Sequence, residues 1–536
     1  MSVGRLPDGF VAEIDARVRV LDGGAVLLGG SPPTILRLSP TARTLLRGGG
    51  VTVDGDVSAA LARRLLDAGV ALPRPTPPVR QRGVAATALP ERRVGARDDV
   101  TPVTVVTPVR DNPDGAARLL GAIGHTAAPH EVIVVDDGSD DPAAMTGVAC
   151  RHGARLLRHE RARGPAAARN TGLAAAATPL VAFVDSDVVP ATPGWLDALC
   201  AHFADPAVAL VAPRIVALDT DGGSWLSGYE RVRSALDLGA RPAPVRPDSL
   251  VSYVPSAAVV VRVEAAGAGF DPALRVAEDV DLVLRLHAEG WRMRYAPDVT
   301  VAHQHRTALR PWLARKAFYG TGAAPLALRH PGKVPPVLLA PWTAAACLAL
   351  AAQHRWSLPV TAALTGAATA RLVRALPGLR GRWPLAAGLA ARGLAGSLWQ
   401  VTSGLVRHWW PAAAVACLVS SRARRAVAAA ALAEGIADWA RHGRGERLLP
   451  YLAAHRLDDL GYGAGLWRGA WRHRTVAPLL PRVAGRRQHA LTGVTGVRAR
   501  GRSAPRSAPA PSTNAAISGS GSVAASGPWM QFLQPT

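Results

Sequence analysis

Three short runs of β-branched and apolar residues, Val103 to Val106, Val132 to Val135 and Leu180 to Val184, each stop at a polar or acidic turn, with Ala- and Leu-rich stretches between them. Runs this short and this apolar read as buried strands, and their alternation with helical segments predicts an α/β unit over residues 100–310, built on a parallel, doubly wound sheet. Open sheets of this kind bind ligands beyond the carboxyl ends of their strands, so the turns carry the chemistry. The first run leads into Thr107-Pro108-Val109-Arg110-Asp111, the second into Asp136-Asp137-Gly138-Ser139 and the third into Asp185-Ser186-Asp187. Alternation along an extended chain points Asp185 and Asp187 the same way, which suits a divalent cation bridging two phosphate oxygens. Taken alone, the second turn is also explained by an Asp capping a helix.

A fourth acidic group, Glu278-Asp279-Val280-Asp281, opens a predicted helix that runs toward Gly290. Acids in a first turn favour the helix dipole, and that structural reading stands beside a catalytic one. Trp291 to Tyr295 reads as a strand, and the following Val299 to Arg306 sets His303 and His305 at strand spacing on one face. Either histidine serves structure equally well, but a pair returning to an acidic cleft is a source of a further metal ligand.

The order Val105-Val106-Thr107-Pro108, Val135-Asp136-Asp137-Gly138-Ser139, Ala168-Arg169-Asn170-Thr171-Gly172, Asp185-Ser186-Asp187, Glu278-Asp279 and His303 resembles family 2 glycosyltransferases of GT-A fold, which have a doubly wound mixed sheet. The resemblance implies nucleotide-binding roles for Thr107, Asp111, Asp137 and Arg169, metal roles for Asp185, Asp187 and His303 with Mg2+ or Mn2+, and a general-base role for Asp279. It implies a single inverting displacement in which Asp279 accepts the proton of an acceptor hydroxyl, Asp281 being its nearest competitor. A two-carboxylate hydrolase explains the acids but not their place at strand ends. A processive synthase usually carries QxxRW, and Gln353-His354-Arg355-Trp356 is one residue short of it. A catalytically dead peptide-binding scaffold has no need of clustered, mutually repelling carboxylates.

Outside this unit the chain divides further, as 536 residues exceed one core. Residues 1–75 read as a small α+β domain, with a hairpin through Asp22-Gly23-Gly24 and helices starting near Ser39-Pro40 and Ser58. Residues 76–99 read as a linker, and the tail over 484–536 as disordered. Residues 311–421 hold four apolar stretches, Val334 to Ala352, Leu358 to Ala370, Leu385 to Val406 and Trp409 to Val419, of which only the first and third approach the roughly 20 residues of a span; with tryptophans near their ends they read as membrane-associated helices, the alternative being buried helices of a soluble α-domain. Residues 422–483 are Arg-rich and amphipathic, consistent with helices lying on a membrane surface.

The net charge of +23 comes almost wholly from arginine, Lys316 and Lys333 being the lysines, and no basic run alternates with aromatics as a nucleic-acid platform requires. A diphosphate substrate or an anionic lipid surface explains it, and nucleic acid is not an expected partner. Dispersed cysteines and a polar N-terminus without an apolar h-region place the catalytic unit on the cytoplasmic side of the cell membrane.

The flanks narrow the resemblance. Val18 to Gly24, Leu28 to Pro32, Leu36 to Pro40, Arg392 to Gly396, His408 to Pro411 and Arg456 to Trp467 resemble mycofactocin-system glycosyltransferases of actinobacteria. That similarity implies UDP-glucose as the UDP-sugar donor, and as acceptor the peptide-derived redox cofactor mycofactocin or its precursor, which gains β-linked glucose. It also implies that residues 1–75 form a winged-helix-like, peptide-recognising module.

Overall fold

The computed structural model describes residues 4–46, 48–74, 101–124, 129–218, 224–247 and 249–484. The linker expected over 76–99 and, Ala484 apart, the tail expected over 484–536 lie outside them.

A nine-stranded sheet organises the centre. From edge to edge it runs Val188–Pro190, Arg292–His303, Val208–Ala217, Ala258–Arg262, Leu180–Val184, Val103–Val109, Pro129–Asp136 and Arg155–Arg158, with Ala243–Pro244 paired onto Arg292–His303. The half from Leu180–Val184 to Arg155–Arg158 is parallel, as the alternation predicts. The other half corrects that reading, because Ala258–Arg262 enters antiparallel to both its neighbours and makes the sheet mixed. All seven residues of Val103–Val109 are buried. Two apolar cores, one on each face, explain why these runs are apolar throughout instead of alternating. The two strand runs foreseen near Trp291 and Val299 are one strand, Arg292–His303, whose register slips opposite Pro213 and Arg214. Its length carries His303 to the same sheet edge as Asp187.

The N-terminal unit consists of two three-stranded sheets and two helices, Pro40–Leu45 and Asp56–Asp67. The expected hairpin pairs Arg19–Leu21 with Val26–Gly29, and Ser39 caps the first helix by accepting from the Ala42 amide at 3.1 Å. Ion pairs join this unit to the central domain: Arg63 to the fully buried Asp205 at 2.6 Å and Asp67 to Arg292 at 2.8 Å.

The C-terminal region is a bundle of Pro341–Ala351, Ser357–Ala375, Arg382–Arg407, Trp410–Val419, Ser421–His442 and Leu448–Arg472. Among the described residues no helix is long and apolar enough to cross a membrane, so neither of the two stretches that approach a span's length forms one. The 11-residue helix Pro341–Ala351 covers only roughly 16 Å, and the 26-residue Arg382–Arg407 is interrupted by Arg392 and by buried Ser397 and Gln400. A second correction concerns Leu448–Arg472, expected on a surface. It buries Tyr451, His455, Asp458, Asp459 and Leu466. Glycines admit its partner, Leu309–Thr321: a Cβ on Gly465 would stand 1.8 Å from the Ala317 carbonyl oxygen, and one on Gly320 2.1 Å from that of Tyr462. The two helices therefore meet backbone to backbone.

Candidate active site

The carboxyl ends of the sheet strands open into a cavity of about 960 Å3, large enough for a nucleotide sugar and part of an acceptor. Asp137, Arg169, Asp185, Asp187, Asp279 and His303 all line it.

Asp137 sits at the end of Pro129–Asp136 and accepts from the Arg163 and Gly164 amides, each at 2.8 Å, and from His159 Nδ1 at 2.7 Å. Its neighbour Asp136 is structural, fully buried, bound by Arg158 and accepting the Ser139 amide at 2.9 Å. Asp111 has a positive φ of 52° and braces the same turn, its Oδ1 accepting from the Asp140 amide at 2.8 Å. Neither Asp111 nor Thr107 is among the cavity's lining residues. Thr107 is buried in its strand, with a hydroxyl that has no hydrogen-bond partner among the described residues.

Arg169 lines the cavity from the helix Pro165–Ala175, yet its guanidinium is engaged with protein carboxylates: Nη2 donates to Asp185 at 2.7 Å and Nη1 to Glu278 at 2.9 Å. Burial disfavours its charge, but Asp185 and Glu278 outweigh that and hold its pKa above the ordinary value. It thus ties the third acidic turn to the fourth. Asp185 is itself raised, because burial and the nearby Asp187 prevail over Arg169. Asp187 is held low despite its own burial, chiefly by His303, whose Nε2 lies 3.3 Å from Oδ2. Two buried atoms here, Asp187 Oδ1 and His303 Nδ1, have no hydrogen-bond partner among the described residues. Such orphaned acceptors are costly unless something else binds them. His305 stacks obliquely 5.1 Å from His303 and faces Glu230 at 3.6 Å, outside the lining, so the histidine pair divides into one cleft residue and one supporting residue.

The fourth turn separates its acids cleanly. Ala277 precedes it at φ 66°, a left-handed conformation that costs a non-glycine residue free energy and starts the helix Glu278–Ala288 abruptly at the cleft. Asp279 accepts from the Val280 amide at 2.8 Å and from the Ser256 amide at 3.3 Å, and has no ion pair among the described residues. Burial and the adjacent Glu278 push its carboxyl up to about 7. Asp281 is fully buried behind it and held by Arg285 at 2.8 Å, Arg329 at 2.9 Å and His330 at 2.8 Å. Of the two, Asp279 lines the cavity and Asp281 does not, being engaged instead with Arg285, Arg329 and His330.

Sequence reasoning missed the far wall. Arg315, Lys316 and Tyr319 from Leu309–Thr321, Arg407 from Arg382–Arg407 and Tyr462 from Leu448–Arg472 all line the cavity. Arg315 contributes to the lowering of Asp187, placing a cation beside the acid pair. The Gly461, Gly463, Gly465 spacing was the one local signal that this helix is closely packed.

Residues 104–262 match the model for Glycosyl transferase family 2. A pre-mycofactocin glycosyltransferase of Mycobacterium tuberculosis (strain ATCC 25618 / H37Rv) is 46% identical over 496 residues, covering 90% of this chain and 100% of its own length. A succinoglycan biosynthesis protein of Rhizobium meliloti is 34% identical over 90 residues, covering 16% of this chain and 26% of its own. Among solved structures, a mannosyltransferase from Pyrobaculum calidifontis in complex with GDP-Man and Mn2+ is 23% identical, covers 67% of this chain and 86% of its own, and superposes with a TM-score of 0.35.

Proposed function

The chain belongs to glycosyl transferase family 2, alongside the pre-mycofactocin glycosyltransferases, and from that premise we propose that it transfers glucose from UDP-glucose to a precursor of mycofactocin, with inversion at the anomeric carbon. The observation that carries the mechanism is Asp279, a carboxylate facing the cavity without a cation partner among the described residues and with its pKa near 7. A base is most effective when its pKa matches the working pH. Asp279 takes the proton of the acceptor hydroxyl as that oxygen bonds to the anomeric carbon; the bond to the diphosphate oxygen breaks and UDP departs. An α-linked donor so attacked yields a β-glucoside.

The nucleotide is assigned to the turns that hold Asp137 and Asp111, with Thr107 beneath them, and Arg169 holds Asp185 and Glu278 in position. Asp187, Asp185 and His303 fit a divalent cation, Mg2+ or Mn2+, because two of their buried ligand atoms have no partner among the described residues. When bound, the cation supplies positive charge against the diphosphate. Arg315 adds fixed charge on the same side. Two experiments test this reading. Mass spectrometry of a mycofactocin precursor incubated with protein, UDP-glucose and Mg2+ or Mn2+ is expected to show added hexose, and an unchanged mass rejects the acceptor. In calorimetry with Mn2+, Asp187→Ala is expected to abolish metal-dependent UDP binding while the protein still melts cooperatively; unchanged affinity rejects the metal assignment.

A cytoplasmic, membrane-surface location is the accompanying proposal. Leu418 and Val419 are more than four-fifths exposed at the end of Trp410–Val419, directly before Arg422, Arg424 and Arg425. Apolar side chains edged by arginines suit an anionic lipid surface. Flotation with phosphatidylglycerol vesicles tests it: Leu418→Asp should weaken binding about tenfold, and no binding by the parent chain removes the proposal.

A further inference from the structure

The six tyrosines of the chain fall into two sets. Tyr229, Tyr295 and Tyr451 are buried, and each engages its hydroxyl within the protein: Tyr229 with His455 Nδ1 at 3.1 Å, Tyr295 with the Gly239 carbonyl at 2.7 Å and Tyr451 with Asp438 at 2.6 Å. Tyr253, Tyr319 and Tyr462 are half-buried, all line the cavity, and have no hydroxyl hydrogen bond among the described residues. They come from three separated segments: the loop before Ala258–Arg262, the helix Leu309–Thr321 and the helix Leu448–Arg472. Nothing local in the sequence obliges three segments to deliver the same residue type to one space.

The surroundings of the three are informative. Asp279 contributes to the raised pKa of both Tyr253 and Tyr319, after burial, so both lie within electrostatic reach of the base. Tyr462 has one face covered by Arg407, whose guanidinium carbon stands 4.2 Å from the ring centroid. Two cations of this wall are balanced, Lys316 by Glu230 at 2.9 Å and Asp458 at 2.8 Å and Arg407 by Asp458 at 3.2 Å and Asp459 at 3.0 Å, while Arg315, whose guanidinium carbon stands 5.7 Å from the Tyr319 ring centroid, lies within electrostatic reach of Asp187. This end of the cavity therefore offers aromatic faces and hydroxyls, whereas the Asp187 end offers unbalanced charge. Aromatic faces stack on flat or C–H-rich rings.

We propose that Tyr253, Tyr319 and Tyr462 form the acceptor subsite, and that it takes an uncharged, ring-bearing acceptor whose hydroxyl is presented to Asp279. This rests on the glycosyl-transfer reading of Asp279. The ring is either an aryl group or a sugar already attached, both of which present a stacking face.

The test uses the full chain and separates ring, hydroxyl and donor effects. With a mycofactocin precursor and saturating UDP-glucose, Tyr319→Ala and Tyr462→Ala should each raise the acceptor KM about tenfold or more, with kcat and calorimetric UDP affinity within about threefold of the parent. Tyr319→Phe and Tyr462→Phe keep the ring and should stay within about threefold on KM. Saturation-transfer NMR with UDP present supplies probes that do not depend on the precursor. Signal on the phenyl protons of phenyl β-D-glucoside identifies an aryl site, and equal signal on that sugar and on methyl β-D-glucoside identifies a sugar site. Either signal should fall at least about fivefold in the Ala variants. Ala variants with the parent's KM and NMR signal, or Phe variants as impaired as Ala, overturn the subsite. Absence of transfer to the precursor alongside tyrosine-dependent NMR signal overturns the acceptor's identity and leaves the subsite standing.

Discussion

The cleft and the C-terminal bundle both bury clusters of carboxylates, and they treat them in opposite ways. In the bundle Asp438 is held by Arg233 at 3.0 Å, Asp458 by Lys316 at 2.8 Å, Asp459 by Arg407 at 3.0 Å, and Glu434 by Arg456. Glu434, His455 and Asp459 lie close enough together for a metal, but Arg456 also pairs with both acids and supplies the positive charge. In the cleft, Arg169 bridges Asp185 and Glu278, Asp187 faces His303 with Arg315 in reach, and Asp279 has no ion pair among the described residues. Burial alone raises every such carboxyl. Lys316 and Arg407 more than reverse this at Asp458, whereas nothing reverses it at Asp279. The balance of acid and cation, rather than burial, distinguishes Asp279 from Asp458, although within the same two clusters His303 holds Asp187 low and burial keeps Asp459 raised.

The sharpest way to break that distinction is Asp279→Asn, which is nearly isosteric. Turnover should fall about 10²- to 10⁴-fold with little change in UDP affinity, since the lost interaction is made chiefly in the transition state. Transfer at the parent rate would move the base elsewhere. Asp281→Asn should leave the chemistry largely intact and lower the melting temperature instead, because it loosens contacts to Arg285, Arg329 and His330.

On the bundle side, Asp458→Ala leaves Lys316 and Arg407 short of a counter-charge inside the protein. Removing one partner of a buried pair typically costs about 3–5 kcal/mol, so the melting temperature should drop by several degrees or more. An unchanged melting curve would mean that this network is wetter than its geometry suggests.

Acidity gives a third contrast, since the two carboxyls shift in opposite directions. Asp279 is raised from its ordinary value near 4 to about 7, so kcat/KM should decline roughly tenfold per pH unit below about 7, and Asp279→Asn should abolish that limb. A raised carboxyl binds its proton more tightly in the folded state. Its ionised form therefore costs stability, increasingly from about pH 4 to about pH 7 and constantly above. Asp279→Asn should then melt slightly higher than the parent at pH 8, by on the order of 1 kcal/mol. Asp458 is lowered, so the stability it contributes is present above about pH 4 and is lost as pH falls through its depressed value. Opposite signs for Asp279→Asn and Asp458→Asn at pH 8, read by calorimetry, are the expected result.

Half of this site was legible because its signals are local. A strand and the turn after it lie within about ten residues, so Asp137, Asp185 and Asp187 reach the cleft by position, whereas Asp279 reaches it by opening a helix. His303 needed only strand length. The bundle's contribution was not legible, because Lys316 finds Asp458 across 142 residues. Nor does apolar composition distinguish a lipid-facing helix from one packed on protein, which is why Leu385 to Val406 read as membrane-associated. Gln400, whose Oε1 accepts from the Leu338 amide at 2.9 Å, shows what such a residue in mid-helix is for. Arg169 was recognised as a cleft residue but assigned to the nucleotide, since sequence cannot show which carboxylates lie across a fold.

The joint between Leu309–Thr321 and Leu448–Arg472 gives the molecule an adjusting screw. Tyr319 and Tyr462 ride on those helices, and their separation is set where Gly465 meets the Ala317 carbonyl. One methyl group inserted there would act as a shim, prying the tyrosines apart while the sheet that carries Asp185, Asp187 and His303 stays as it is. Related chains could thus alter which molecules they glycosylate by changing a residue that touches neither substrate.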